Sequence, residues 1–548
     1  MNAKRTLVKQ LIIFLVWSSW IVFGCSLVSS LAGATATPGA SSIQTQNSAA
    51  TLSGSPPAET AAPQASAPAA EETVSPTIEN TQTRSNQEQA LLPDQSLDYA
   101  VLSNTNHYAI DLQIDYQALA FQGQERLAYI NSEDTTLDRL YFRLLPNGGG
   151  SFGDGSLQVS DVQVDQQPVE TQLSLNDTVL EVPLAQPLSP GQNAQIDMQF
   201  QGEVPEDFGG GYGIYNYTEG VMALAAWYPT LAVYDQEGWN LDPVSDIGDS
   251  VYSDIAFYDV TVTVPDNIVL AATGVDAGRI QEGGDTRIHY VSGPARDFFM
   301  IMSPDFQSVS QTVGGTTINS YYLPGYQDAG QFGLSVAADS LKIFNREFGD
   351  YPYTELDMVQ APMRNAAGVE YPSIILIGGF LYDRYNEPTF TVATAHEVAH
   401  QWWYNLVGND VFDNPWMDES LTTYSSSLYY EFEKGPQYVQ GLENSWQEAY
   451  DQAIQRGADD QIAASLEHFE FEANPRAYGA VVYNKGGLFF EALRKKIGDQ
   501  AFFQALENYY QENKYQIATP EDLKGTFEQT YGQSLENFYQ EWLYSPEP

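Results

Sequence analysis

The stretch His396-Glu397-Val398-Ala399-His400, with Glu419 nineteen residues beyond its second histidine, decides how this 548-residue chain is read. Residues four apart share one face of a helix, so the two imidazoles aim at one place. Glu397 starts at the edge of that face, within reach of a water held by the same centre. Two neutral His and one carboxylate make a three-ligand set with one tetrahedral position open, as a catalytic zinc requires. Such an ion lowers the pKa of its water to about 7. Only five histidines occur in the chain and two sit in this pentapeptide, which argues against coincidence. The flanks, TVATA at 391–395 and WWY at 402–404, predict a buried helix, where an unpaired His or Glu would be costly. This reading makes His396, His400 and Glu419 metal ligands for one zinc per chain.

Around this centre the chain predicts an α+β protein. From about residue 98 to 304 the pattern has period two: Ile110, Leu112 and Ile114 alternate with polar residues, as do Val260, Val262 and Val264. Gly-rich clusters such as 146–150 and 282–285 separate these runs, predicting an antiparallel β domain over 97–305 with no evident chemistry of its own. Beyond it, at 306–548, helical periodicity dominates. Helices are expected over 332–348, from about 391, and over 418–433, 438–456, 478–497, 501–512 and 520–531. A strand at 358–362, a loop at 367–372 and a strand at 374–377 precede the histidine helix.

The amino terminus reads differently. Lys4, Arg5 and Lys9 precede an apolar run at 11–23 that is short for a spanning helix, so 1–25 is expected to be an export signal. It ends in Gly24-Cys25, the only cysteine, and resembles a bacterial lipobox. An uncleaved anchor, or cleavage after 31–34, are the competing expectations. All three place the protein outside the cytoplasm, touching a membrane only through this end. Residues 26–96, rich in Ala, Ser, Thr, Pro and Gln, are expected to be a disordered tether. Lys and Arg number 23 against 71 Asp and Glu, and almost all of the acidic excess lies beyond residue 96. Such a field disfavours nucleic acid and favours solubility and cationic peptides.

Four further stretches carry a resemblance. HEVAHQWWYNLV at 396–407, WMDESLTTY at 416–424, AGVEY at 367–371 and Tyr483-Asn484-Lys485-Gly486 stand in the order and spacing of the gluzincin metallopeptidases of the aminopeptidase N family. The resemblance covers about 98–548. It implies a β-saddle domain followed by a thermolysin-like, mostly helical zinc peptidase domain. Because the chain stops soon after Trp542, it also implies a short bacterial form without the long C-terminal helical domain, and a more open cleft.

By the same resemblance, Glu397 is general base and proton shuttle, and Tyr483 donates to the oxyanion, with Tyr478 as runner-up. Glu370, with Gly368 in the same loop, binds the substrate's free α-amine. A second amine ligand is expected from the β domain, with Glu219 named for it. Asp418 is expected to cap the helix carrying Glu419, or else to orient a ligand; His107, His289 and His468 are expected to be structural or exposed. The implied activity is removal of N-terminal residues from peptides. The alternatives are an endopeptidase, or a peptidase on amino-blocked substrates, and an inactive peptide-binding module.

Overall fold

The computed structural model describes residues 86–95, 102, 105–206, 211–249 and 251–546. The export signal and most of the tether lie outside these residues. Residues 86–95 of the expected tether are described and pack onto the fold: Ala90 and Leu91 are buried, and Leu91 pairs with Tyr353. Leu91 and Leu92 supply apolar surface that the preceding Ala/Ser/Pro run lacks.

The expected β-rich half is present. Its largest sheet has eight strands, in the order Val275–Glu282, Asp285–Val291, Ala256–Pro265, Asn106–Asp115, Ala120–Ile130, Asn193–Glu203, Ser156–Val164 and Gln167–Pro168. Period-two alternation puts Ile110, Leu112 and Ile114 on the buried face. One pairing departs from the antiparallel expectation: Asn106–Asp115 runs parallel to Ala256–Pro265. Two four-stranded sheets and a two-stranded one complete this half.

A five-stranded mixed sheet joins the halves, in the order Gln307–Val313, Thr316–Tyr322, Glu355–Ala361, Ile374–Gly378 and Gly368–Tyr371. The strand Ile374–Gly378 is buried on both faces, which explains its unbroken apolar run. Ile374 and Leu376 pack into the β-rich core, while Ile375 and Ile377 pack into the helical core. The expected loop at 367–372 is instead the edge strand Gly368–Tyr371, antiparallel to Ile374–Gly378 across a Pro372-Ser373 turn. Ser373 adopts φ 58° there, and short polar residues tolerate that conformation better than branched ones.

Helix α1 (Gln327–Glu347) covers the sheet and α2 (Pro388–Ala399) carries the HExxH motif. Proline at its first position suits α2, since that N–H has no helical partner. Helix α3 (Trp416–Glu433) is buried from Trp416 to Tyr430. Its Ser425, Ser426 and Ser427 hydroxyls donate to carbonyls three or four residues back, so their burial leaves no donor unmet. The expected helix at 478–497 begins with a π-helical stretch, Gly479–Lys485, and becomes α-helical over Gly486–Ile497. The helix Pro520–Tyr531 matches its expected bounds, whereas Glu536–Leu543 was not anticipated. No helix among the described residues is long and apolar enough to cross a membrane.

Candidate zinc centre and peptide-binding cleft

Helix α2 runs directly into His400, and the two motif imidazoles meet with Nε2 atoms 3.2 Å apart. Glu419, on the first turn of α3, places Oε2 3.1 Å from His396 Nε2 and 3.4 Å from His400 Nε2. A tetrahedral zinc with bonds of about 2.0–2.1 Å holds its ligand atoms roughly 3.3 Å apart. The donor set fits that ion. His400 Nδ1 lies 3.0 Å from the Trp403 carbonyl, which can only accept, so the proton sits on Nδ1 and the lone pair on Nε2. Thr422 Oγ1 flanks the same nitrogen at 3.3 Å. Burial alone would raise the Glu419 carboxyl, but bonding to His396 and His400 outweighs it and holds the group well below the usual range.

Glu397 is buried and is not among the three converging ligands. Its Oε2 has no hydrogen-bond partner among the described residues, and desolvation pushes its carboxyl well up. Gly368 lies against it so closely that a Cβ there would collide with the carboxylate. Gly368 thus makes room for Glu397. Glu370 is buried on the same edge strand, with Oε1 3.7 Å from His400 Nδ1. Burial, and then Asp249, push its carboxyl well up.

Tyr483 sits on the π-helical stretch, its ring stacked beside His396 at 6.0 Å and its hydroxyl donating to Glu419 Oε1. Ser420 holds that stretch by donating to the Val482 carbonyl (2.6 Å). Tyr478 is fully buried, edge-on to Phe469 and Tyr483. Lys485, next along, is buried against the carbonyls of Asp460 and Ser545.

Three expectations are corrected. Asp418 does not cap α3, because that helix starts two residues earlier behind Pro415, and Asp418 Oδ1 accepts from the N–H of Glu419 (2.8 Å). Glu219 lies exposed on a hairpin turn at φ 54°, outside the metal cluster. The β-rich half is also not devoid of chemistry. Asp249, on an irregular segment between its strands, hydrogen-bonds to Glu370, and burial followed by the field of Glu419 pushes its carboxyl up to about 7. No periodicity marks this residue; the turn-forming Gly248 before it is the only local signal. Among the other histidines, His289 pairs with Asp259 and His468 with Asp460 and Glu472, away from the centre.

Comparison with known proteins gives the same picture. Residues 332–542 match the peptidase family M1 domain. The chain is 23% identical over 444 residues to "Aminopeptidase 2" of Candida albicans, covering 76% of this chain and 44% of that one. It is 26% identical over 293 residues to "Aminopeptidase M1" of Arabidopsis thaliana, covering 50% and 32%. The chain thus spans less than half the length of these relatives. Its fold matches the crystal structure of an M1 zinc metallopeptidase from Deinococcus radiodurans with a TM-score of 0.62 at 21% identity, covering 81% of this chain and 94% of that one. A variant of that enzyme bound to a Tyr-Ser-Ala substrate matches with a TM-score of 0.60 at 20% identity, covering 81% and 95%. Residues 332–542 are thus similar to the peptidase family M1 domain, and the order of the motifs above resembles that of the gluzincins of the aminopeptidase N type.

Proposed function

We propose that this protein is a zinc-dependent aminopeptidase that removes N-terminal residues from peptides. The observation that carries this reading is the convergence of two carboxylates, Glu370 and Asp249, beside a three-ligand zinc set. His396, His400 and Glu419 would hold the zinc, which would supply Lewis acidity and an acidified water when bound. Glu397 accepts the proton of the attacking water on its open oxygen and passes it to the leaving amine. The Tyr483 hydroxyl, at the rim of the ligand set, donates to the oxyanion. Glu370 and Asp249, hydrogen-bonded to each other, hold one proton between them. An α-ammonium replaces that proton and is fixed beside the ligand set, one residue from the bond that breaks.

Chelation should abolish hydrolysis and zinc should restore it. Free-amine substrates should be cleaved far better than amino-blocked ones. Glu370→Val should raise KM for free-amine substrates and narrow that advantage, because loss of one partner of a desolvated charge pair costs about 2–5 kcal/mol. Full activity in verified zinc-free protein, or equal cleavage of free and blocked substrates by wild type, would overturn the reading.

We also propose that the enzyme is exported and held at a membrane by a lipid on Cys25. The support is the basic-then-apolar run ending in Gly24-Cys25. In a bacterial host, labelled palmitate should enter the wild-type protein and not Cys25→Ser; label in both would exclude the lipid.

A further inference from the structure

Tyr404 has a backbone conformation that a tyrosine rarely takes. Its φ is 135°, in the region that favours glycine, and it stands where the aminopeptidase N motif HExxHQWxGNxV has glycine. A non-glycine residue keeps such a conformation only when its surroundings impose it, and such residues gather at functional sites. Here the surroundings belong to the β-rich half. The Tyr404 hydroxyl donates to Asp297 Oδ2 (2.5 Å), and the buried Arg296 donates through Nε to the Tyr404 carbonyl (2.6 Å). The same guanidinium reaches the carbonyls of Ser253 (3.0 Å) and Gln516 (2.6 Å). It lies so close to Gly408 that a side chain there would collide with it. On its other side, the Tyr404 N–H donates to the Val407 carbonyl (2.9 Å).

With its N–H, carbonyl and side chain all tied, Tyr404 fixes the plane of the peptide that joins it to Trp403. The oxygen of that peptide is the acceptor for His400 Nδ1. We infer that Arg296 and Asp297 are positioning residues of the metal centre, acting through Tyr404 and the Trp403 carbonyl to hold His400 in the tautomer and orientation that bind the metal. The inference rests on the zinc reading above. It gives the β-rich half a second role there, since Asp249 faces the substrate while Arg296 and Asp297 face the protein side of a ligand. Groups that orient a metal-binding histidine typically contribute 10–100-fold in metal affinity.

The test uses the full chain and reads the zinc dissociation constant by chelator competition, alongside the thermal midpoint of the zinc-free protein. Tyr404→Phe keeps the ring and loses only the bond to Asp297; its zinc dissociation constant should rise about tenfold, with the zinc-free midpoint near that of wild type. Arg296→Lys, which cannot fork to three carbonyls, should lose more, up to about 100-fold. Should that variant fail to fold, Tyr404→Gly decides, because glycine takes a φ of 135° without strain and keeps the backbone acceptor. A loss of tenfold or more in a folded Tyr404→Gly supports the clamp. Wild-type zinc affinity in Tyr404→Phe and Tyr404→Gly overturns it. So does an affinity loss matched by a fall in the zinc-free midpoint, which would make the contact merely structural. Failure of wild type itself to bind zinc would instead remove the metal reading on which the clamp rests.

Discussion

Glu125 and Glu397 are both carboxylates buried to within a few per cent, at 2% and 4% exposed, yet they face opposite neighbourhoods. Glu125 points from the strand Ala120–Ile130 into the β-rich core among Phe121, Leu127 and Tyr129, with no hydrogen-bond partner for either oxygen among the described residues. Glu397 also has an oxygen without a partner, but it opens beside two imidazoles, Glu419, Glu370 and Asp249. Burial raises both carboxyls. What separates a functional acid from an awkward one is therefore convergence: several donors of different kinds meeting at a point that a metal and a substrate can fill.

The comparison breaks most sharply at the zinc centre itself. Glu397→Gln should leave zinc bound while lowering kcat by at least 10²-fold, since it removes a base and no ligand. Glu419→Ala should instead lose the metal, because it removes one of three converging donors. Zinc content and kcat of the two variants check this. Equal zinc loss in both would erase the distinction between the base and the ligand.

Tyr483→Phe sharpens the same contrast at a neutral group. The phenylalanine ring still stacks beside His396 while the donor to Glu419 Oε1 is removed. A donor acting on the oxyanion is worth about 10²-fold or more in kcat, with KM little changed. Steady-state kinetics on one free-amine peptide separate the outcomes. A change chiefly in KM would make Tyr483 a substrate-binding residue.

How much of this was legible beforehand follows from the physics of each element. The HExxH helix and the glutamate beyond it could be read because helical spacing alone brings His396 and His400 together, and a fixed separation returns Glu419 to them. The helix at Pro520–Tyr531 could be read from its pattern, and in the structure Thr519 and Asp522 form a reciprocal capping box at its start. The edge strand Gly368–Tyr371 was hidden because glycine and a Pro-Ser turn read as loop, and only its neighbour strand makes it a strand. Asp418 looked like a cap because its residue type favours that place, whereas Pro415 starts the helix earlier. Asp249 was invisible for a deeper reason. Little beyond Gly248 marks it locally, and its significance arises only when an irregular segment of the β-rich half is laid against the helical half.

The smallest effect concerns Glu125, and it tests the other side of the comparison. Its carboxyl is raised above the usual range by burial, with no positive partner to offset the cost. A group that binds its proton more tightly in the folded state stabilises most below its unfolded pKa, near 4.3, and loses that contribution as pH rises through the raised folded value. Wild type should therefore carry a growing penalty from weakly acidic to alkaline pH. Glu125→Met keeps an unbranched chain of similar length, removes the carboxyl, and should stabilise the β-rich half by about 1–3 kcal/mol at pH 8. Near pH 4.5 the gain should shrink, because the wild-type group is then neutral in the folded state and about half protonated in the unfolded one. The readout is the difference in unfolding midpoint between variant and wild type at the two pH values, so the many other carboxylates cancel. The zinc site should be indifferent, with zinc content and kcat unchanged, since no element links Glu125 to the ligands. A midpoint difference independent of pH, or a variant less stable than wild type at pH 8, would mean that Glu125 has a partner in solution. It would then belong with Glu397 among carboxylates that the fold employs.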